Sequence, residues 1–176
     1  VALYGEPAGG QVWEKLAAVM AAFCRVSPGH KDFTLSEEDV LLITYADQLR
    51  EPDKTPLATL AVFTKTQLAG LVSGIHLLPF YPWSSDDGFS VKDFFAVDSA
   101  LGTWADIERF RPEFDLMFDA VFNHMSAQGD WFQHFLRDER EFRDFFETVE
   151  GHPDLSQVVR PRALPLVTEF QTVAGP

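Results

Sequence analysis

Cys24 is the only cysteine in this chain. A lone thiol cannot close an internal disulfide, and its isolation fits a reducing compartment. Positive charge is scarce as well: 14 lysines and arginines stand against 27 acids, for a formal charge of −13 over 176 residues. Such a surface repels phosphate backbones and anionic lipid, so nucleic acid and membrane are poor partners, and a phosphorylated ligand would need a local basic pocket. No apolar run approaches the ~20 residues of a membrane span. HExxH and paired-cysteine spacings are missing, as are a G-x-G-x-x-G after the first strand and a Walker-type phosphate loop, so zinc, dinucleotide and nucleoside triphosphate sites have no signature. The alanine-rich stretch 12–26 is interrupted by Glu14 and Lys15 and lacks a typical cleavage site; it reads as a helix, not a signal peptide, and a cytoplasmic location is expected.

What is present is apolar mass. Hydrophobic residues make up 46% of the chain, 17 of them phenylalanines, enough for a buried core. Val12, Leu16, Val19 and Phe23 fall on one face of a leading helix, which Ser27-Pro28-Gly29-His30 ends. Val40–Tyr45 is a continuous apolar strand of the kind buried in parallel sheets. Residues 57–72 form a helix with Leu57, Leu60, Ala61, Thr64 and Leu68 on one face, stopped by Gly70 and Gly74. A second strand follows at Ile75–Phe80, then a helix start at Thr103 with Asp106 three residues on, and a third strand at Leu116–Phe122. A longer helix is expected over 129–149 and a short strand over Leu164–Phe170. Strands alternating with helices predict a parallel sheet with right-handed crossovers. Three strands suit a small open sheet, or the first three of the eight in a closed barrel, which takes ~250 residues when complete.

Chemistry concentrates where two of these strands end. Leu77-Leu78-Pro79-Phe80-Tyr81-Pro82-Trp83-Ser84-Ser85-Asp86-Asp87-Gly88-Phe89-Ser90-Val91 passes from buried strand to a loop bearing two acids, a glycine and an aromatic ring. One of the two carboxylates, Asp86 or Asp87, can accept hydrogen bonds from sugar hydroxyls while its neighbour points away, Gly88 lets backbone approach a ligand, and Phe89 offers a ring to an apolar sugar face. Adjacent acids in a loop are otherwise solvated turn formers. The third strand ends in Asp119, Asn123 and His124, with Asp119, Val121 and Asn123 on one face if the strand persists. A buried Asp119 needs a partner, because an unpaired buried charge is costly. Asn123 and His124 either cap neighbouring loops or donate to a substrate oxygen. His76, inside a strand, reads as a satisfied core residue, while His30, His134 and His152 read as surface positions.

These elements resemble a known family. Ile43-Thr44-Tyr45-Ala46-Asp47-Gln48-Leu49, the Leu77–Val91 run, Leu101-Gly102-Thr103-Trp104 and Asp119-x-x-x-Asn123-His124-Met125-Ser126 resemble, in order, the sucrose phosphorylase branch of the alpha-amylase superfamily (glycoside hydrolase family 13). The resemblance implies the first three β/α units of a (β/α)8 barrel at 40–150, after a helical extension at 1–39 and before the start of an inserted B domain at 151–176. It implies a retaining enzyme that moves glucose from an α-glucoside to phosphate, or to water in hydrolase relatives, without metal or organic cofactor. Asp86, Phe89 and His124 match residues that hold the glucosyl unit, with Asp119, Asn123 and Gly88 in support. The nucleophile, acid/base and third acid belong to later strands, so the chain is expected to be an N-terminal portion, inactive alone, with the remainder of its polypeptide as partner and self-association through open strand edges. Two rival readings remain: a metallophosphoesterase-like enzyme using Asp119, Asn123 and His124, and a non-catalytic sugar-binding or interaction domain.

Overall fold

The computed structural model describes residues 5–26, 34–149, 151, 153–159, 165–173 and 175. The predicted break at Ser27–His30, His152, and Leu164 at the start of the expected last strand lie outside the described residues. The chain divides into two compact units, 1–37 and 38–176. The first holds helix α1 (Ala8–Val26). Val12, Leu16, Val19 and Phe23, the face marked out by spacing, are all exposed on it.

The second unit is built on an all-parallel sheet of three strands, β1 (Leu41–Thr44), β2 (Gly74–Leu77) and β3 (Asp115–Phe118), in the order β1-β2-β3. Register aligns Ile43 with His76 and Met117, and Thr44 with Leu77 and Phe118. Strand alternation therefore gives the sheet two unlike faces. One face presents Ile75 and Leu77, both 0% exposed, to a core made with Leu57, Leu60, Ala61, Ile107, Phe110 and Phe114. The other carries Leu41, Ile43 and Met117 in the open, with His76 between them. Burial on both faces, expected of β1, is thus confined to the central strand. Gly74 is where the sheet is tightest: a Cβ there would stand 3.1 Å from the Leu41 side chain and 3.3 Å from the Asp115 carbonyl.

Helix α2 (Pro56–Phe63) covers the core face, started by the Thr55 hydroxyl accepting from the Ala58 N–H and by Pro56 in the first turn. Of the predicted stripe, Leu57, Leu60, Ala61 and Thr64 are buried and Leu68 is half-buried. Beyond Phe63 the helix widens into a π turn over Thr64–Leu68. Both threonines there bond backward, Thr64 Oγ1 to the Ala61 carbonyl and Thr66 Oγ1 to the Val62 carbonyl, a habit that loosens helical turns. Helix α3 (Trp104–Glu108) opens on the expected capping pair: Asp106 Oδ2 accepts from the Thr103 N–H at 3.0 Å and from its hydroxyl at 2.9 Å.

Three expectations fail. Strands β2 and β3 stop three and four residues short, because Pro79 has no N–H to donate and β3 has lost its neighbour by Asp119. The helix expected over 129–149 is only α4 (Asp130–Leu136). Asp138 takes a left-handed backbone (φ 58°) and Arg143 grips its carboxylate through Nε (2.7 Å) and Nη2 (2.9 Å), which turns the chain back. The phenylalanines beyond then fold onto α4, with Phe146 against Phe132 and Phe135, and Phe145 against Trp131. Residues 165–170 form no strand; Phe170 instead packs edge-on against Phe132.

Candidate functional site

The loop after β2 is a pinned hairpin. Trp83 and Val91 bridge antiparallel, the Ser84 N–H donates to the Ser90 carbonyl, and the Lys92 N–H donates to the Pro82 carbonyl. At the tip Asp86 and Asp87 both adopt left-handed backbone (φ 61° and 49°), the costly turn that aspartate tolerates better than most residues. Both carboxylates are exposed. Gly88 (φ +100°) is buried, and a Cβ on it would sit 2.9 Å from the Pro79 carbonyl oxygen. The close approach that sequence reasoning reserved for a ligand at Gly88 is therefore made to the chain's own Pro79. Phe89 is half-buried, its N–H donating to the Asp86 carbonyl.

Beyond β3, residues 119–125 run without regular structure, so the alternation expected for Asp119, Val121 and Asn123 does not govern them. Val121 is buried, whereas Phe122, Asn123 and His124 are exposed. Asp119 finds its partner on the neighbouring strand: His76 Nε2 lies 2.9 Å from Asp119 Oδ2, on the open face of the sheet. Tyr81 is drawn into the same group. Burial raises its phenol above the ordinary value, and the negative charge of Asp119 raises it further.

The two strand-end segments are joined. Ser126, 1% exposed, shares a 2.7 Å hydroxyl–hydroxyl bond with Ser84, and its N–H donates to the Val91 carbonyl at 2.8 Å. Neither serine was singled out as a site residue from sequence, although Ser84 lies in the Leu77–Val91 run and Ser126 in the D-x-x-x-N-H-x-S element. Aromatic rings continue from here, Tyr81 to Phe94 and Phe94 to Trp131. Two surface depressions lie nearby, one of about 230 Å³ lined by Lys92, Phe94 and Trp131 among others, one of about 510 Å³ between α3 and β3. Neither lining includes Asp86, Phe89 or His124. Among the described residues no group of three or more His, Cys, Asp or Glu is placed to hold a metal ion, and Asp119 faces the His76 imidazole. No helix among the described residues is long and apolar enough to cross a membrane.

Comparison with known proteins decides the lineage. The family "Alpha amylase, catalytic domain" matches residues 68–171. The chain belongs to the alpha-amylase catalytic-domain family. This alpha-amylase chain is 50% identical over 173 residues to a glucosylglycerate phosphorylase of Allomeiothermus silvanus, a match covering 98% of the chain and 30% of the relative. It is 35% identical to a sucrose phosphorylase of Agrobacterium vitis over 72% of the chain and 28% of that protein. The crystal structure of sucrose 6F-phosphate phosphorylase from Thermoanaerobacter thermosaccharolyticum superposes with a TM-score of 0.54 at 31% identity, covering 64% of the chain and 22% of that structure. The β1-β2-β3 sheet and its helices are accordingly an arc of the family's (β/α)8 barrel. The chain spans about 30% of the length of the curated relatives it matches.

Proposed function

We propose that this chain forms the glucose-holding edge of a retaining glycoside phosphorylase, a glucosylglycerate phosphorylase in the first instance. Asp86 and His124 take hydroxyls of the glucosyl unit and Phe89 takes its apolar face, with Gly88, Asp119 and Asn123 supporting them. Such hydrogen bonds tighten as the sugar ring flattens toward an oxocarbenium ion, so they favour the transition state over the bound substrate. The exposed Asp86 and Asp87 are not assigned as nucleophile or acid/base; that pair must stand ~5–5.5 Å apart across the scissile bond and belongs to the rest of the enzyme. In this reading 1–39 is a helical extension, 40–150 holds three β/α units, and 151–176 opens an inserted B domain. Phosphate and the α-glucoside are the substrates, and no metal or organic cofactor enters.

One observation carries the choice of glucoside. The glucosylglycerate phosphorylases of Spirochaeta thermophila and Allomeiothermus silvanus align with 99% and 98% of the chain, whereas the Agrobacterium vitis sucrose phosphorylase aligns with 72%. The test is release of glucose 1-phosphate by the full-length protein from glucosylglycerate and from sucrose, each with phosphate. Expected is a kcat/KM for glucosylglycerate at least ~100-fold higher, well within the roughly 10,000-fold or more by which a site built to hydrogen-bond its substrate can reject an analogue lacking the bonding group. Preference for sucrose, or cleavage of neither, overturns the reading.

A further inference from the structure

The Ser126 side chain is buried, and its hydroxyl is engaged in hydrogen bonds. The Gln128 N–H donates to Ser126 Oγ at 3.0 Å, Ser126 meets Ser84 Oγ at 2.7 Å, and Ser84 Oγ donates to Ser90 Oγ at 3.3 Å. With the Ser84 proton directed to Ser90, the Ser126 hydroxyl is the donor to Ser84. The three bonds then run in one direction, from the turn before α4 into the neck of the 83–91 hairpin. Ser84 stands two residues before Asp86, and Ser126 two residues after His124. The backbone bond from Ser126 N–H to the Val91 carbonyl ties the other arm of the hairpin to the same point.

We propose that Ser126 is a positioning residue: through Ser84 it fixes the spacing between the loop bearing Asp86 and Phe89 and the segment bearing His124. The proposal rests on the glucose-holding role given above. Asp86 and Asp87 occupy left-handed backbone at an exposed tip, so their placement depends on the neck being held. Two groups that must close on one sugar lose much of their effect when one of them shifts by about an ångström, a displacement that costs up to ~100-fold in rate.

The experiment is a cycle of Ser126→Ala and Asp86→Asn in the full-length protein, read by kcat and KM, with hydrogen exchange of the Phe89 and Ser90 amides measured in parallel. Expected is a fall in kcat of about 10- to 100-fold for S126A with KM changed less than about 3-fold, and a clearly smaller further loss when S126A is added to D86N, since one of the contacts being positioned is already weakened. Exchange at Phe89 and Ser90 rises in S126A. Equal cost of S126A in both backgrounds, or unchanged exchange, overturns the proposal. If D86N turns over at the parental rate, the glucose-holding reading fails instead, and the exchange measurement alone still decides whether Ser126 holds the hairpin. Should S126A not fold, Ser84→Ala breaks the same bond from its less buried side and carries the same expectations.

Discussion

His76 on β2 and Asp119, the first residue past β3, meet at 2.9 Å on the face of the sheet that the helices leave open. Their side chains are 15% and 24% exposed, so the bond is shielded and removing one member leaves the other short of a partner. His76→Ala and Asp119→Ala should each cost about 1–3 kcal/mol in urea unfolding, and the double variant should cost less than the sum. Additive losses would show that the two do not act as a pair.

Tyr81 sets an alkaline limit. Its phenol is raised above 10 by burial and then by the charge of Asp119, so the folded state holds this proton more tightly than the unfolded chain. The stability this contributes is complete below the unfolded value of ~10 and is lost as pH rises through the folded value. Unfolding midpoints should fall above that pH in the parent and less steeply in Tyr81→Phe. Asp119→Asn should move the tyrosine titration back toward its ordinary position.

Gly88 cannot carry a side chain without moving Pro79. Gly88→Ala combines a positive φ with a Cβ 2.9 Å from the Pro79 carbonyl oxygen, and a strained residue of this kind costs about 1–3 kcal/mol. A lowered melting temperature is expected, together with faster exchange across the hairpin. An unchanged melting temperature would mean the loop adjusts freely.

For the sugar contacts, Asp86→Asn is the informative substitution, because asparagine accepts left-handed backbone as aspartate does. D86N and His124→Ala should each lower turnover by about 10- to 100-fold, the worth of one charge-assisted hydrogen bond. Parental rates of glucosyl transfer in both would remove these residues from the site.

The sheet's outer edges carry a prediction of their own. Leu41, Ile43 and Met117 are exposed on β1 and β3, which flank the fully paired β2. Unpaired apolar edges recruit other strands. The 176-residue chain alone should self-associate by light scattering, and Ile43→Lys should reduce this. A monodisperse monomer would show the edges to be covered.

The layout of strands and helices was legible because its signals are local. Thr103 and Asp106 cap α3 within one turn, and Leu57, Leu60 and Ala61 declare the buried stripe of α2, continued by Thr64 in the π turn, by spacing alone. The end of α4 was not legible. Phe142, Phe145 and Phe146 keep helical spacing, but Asp138 turns left-handed under Arg143, a bond that propensity does not foretell. The need of Asp119 for a partner was readable; that the partner is His76, 43 residues away, was not. Ser84 and Ser126 lie 42 apart and look like ordinary loop serines until the fold joins them.

That separation bears on how the molecule reaches its structure. All three strands are parallel, so no two can pair through a tight hairpin. Val40 reaches Ser73 over 33 residues, and His76 reaches Asp119 over 43. Each closure costs chain entropy before any contact rewards it, so assembly should be slow for a domain of this size and should wait on the crossover segment that holds α2. During that interval the apolar residues exposed on β1, Leu41 and Ile43, lack their partner strand, the condition under which folding intermediates are most prone to aggregate.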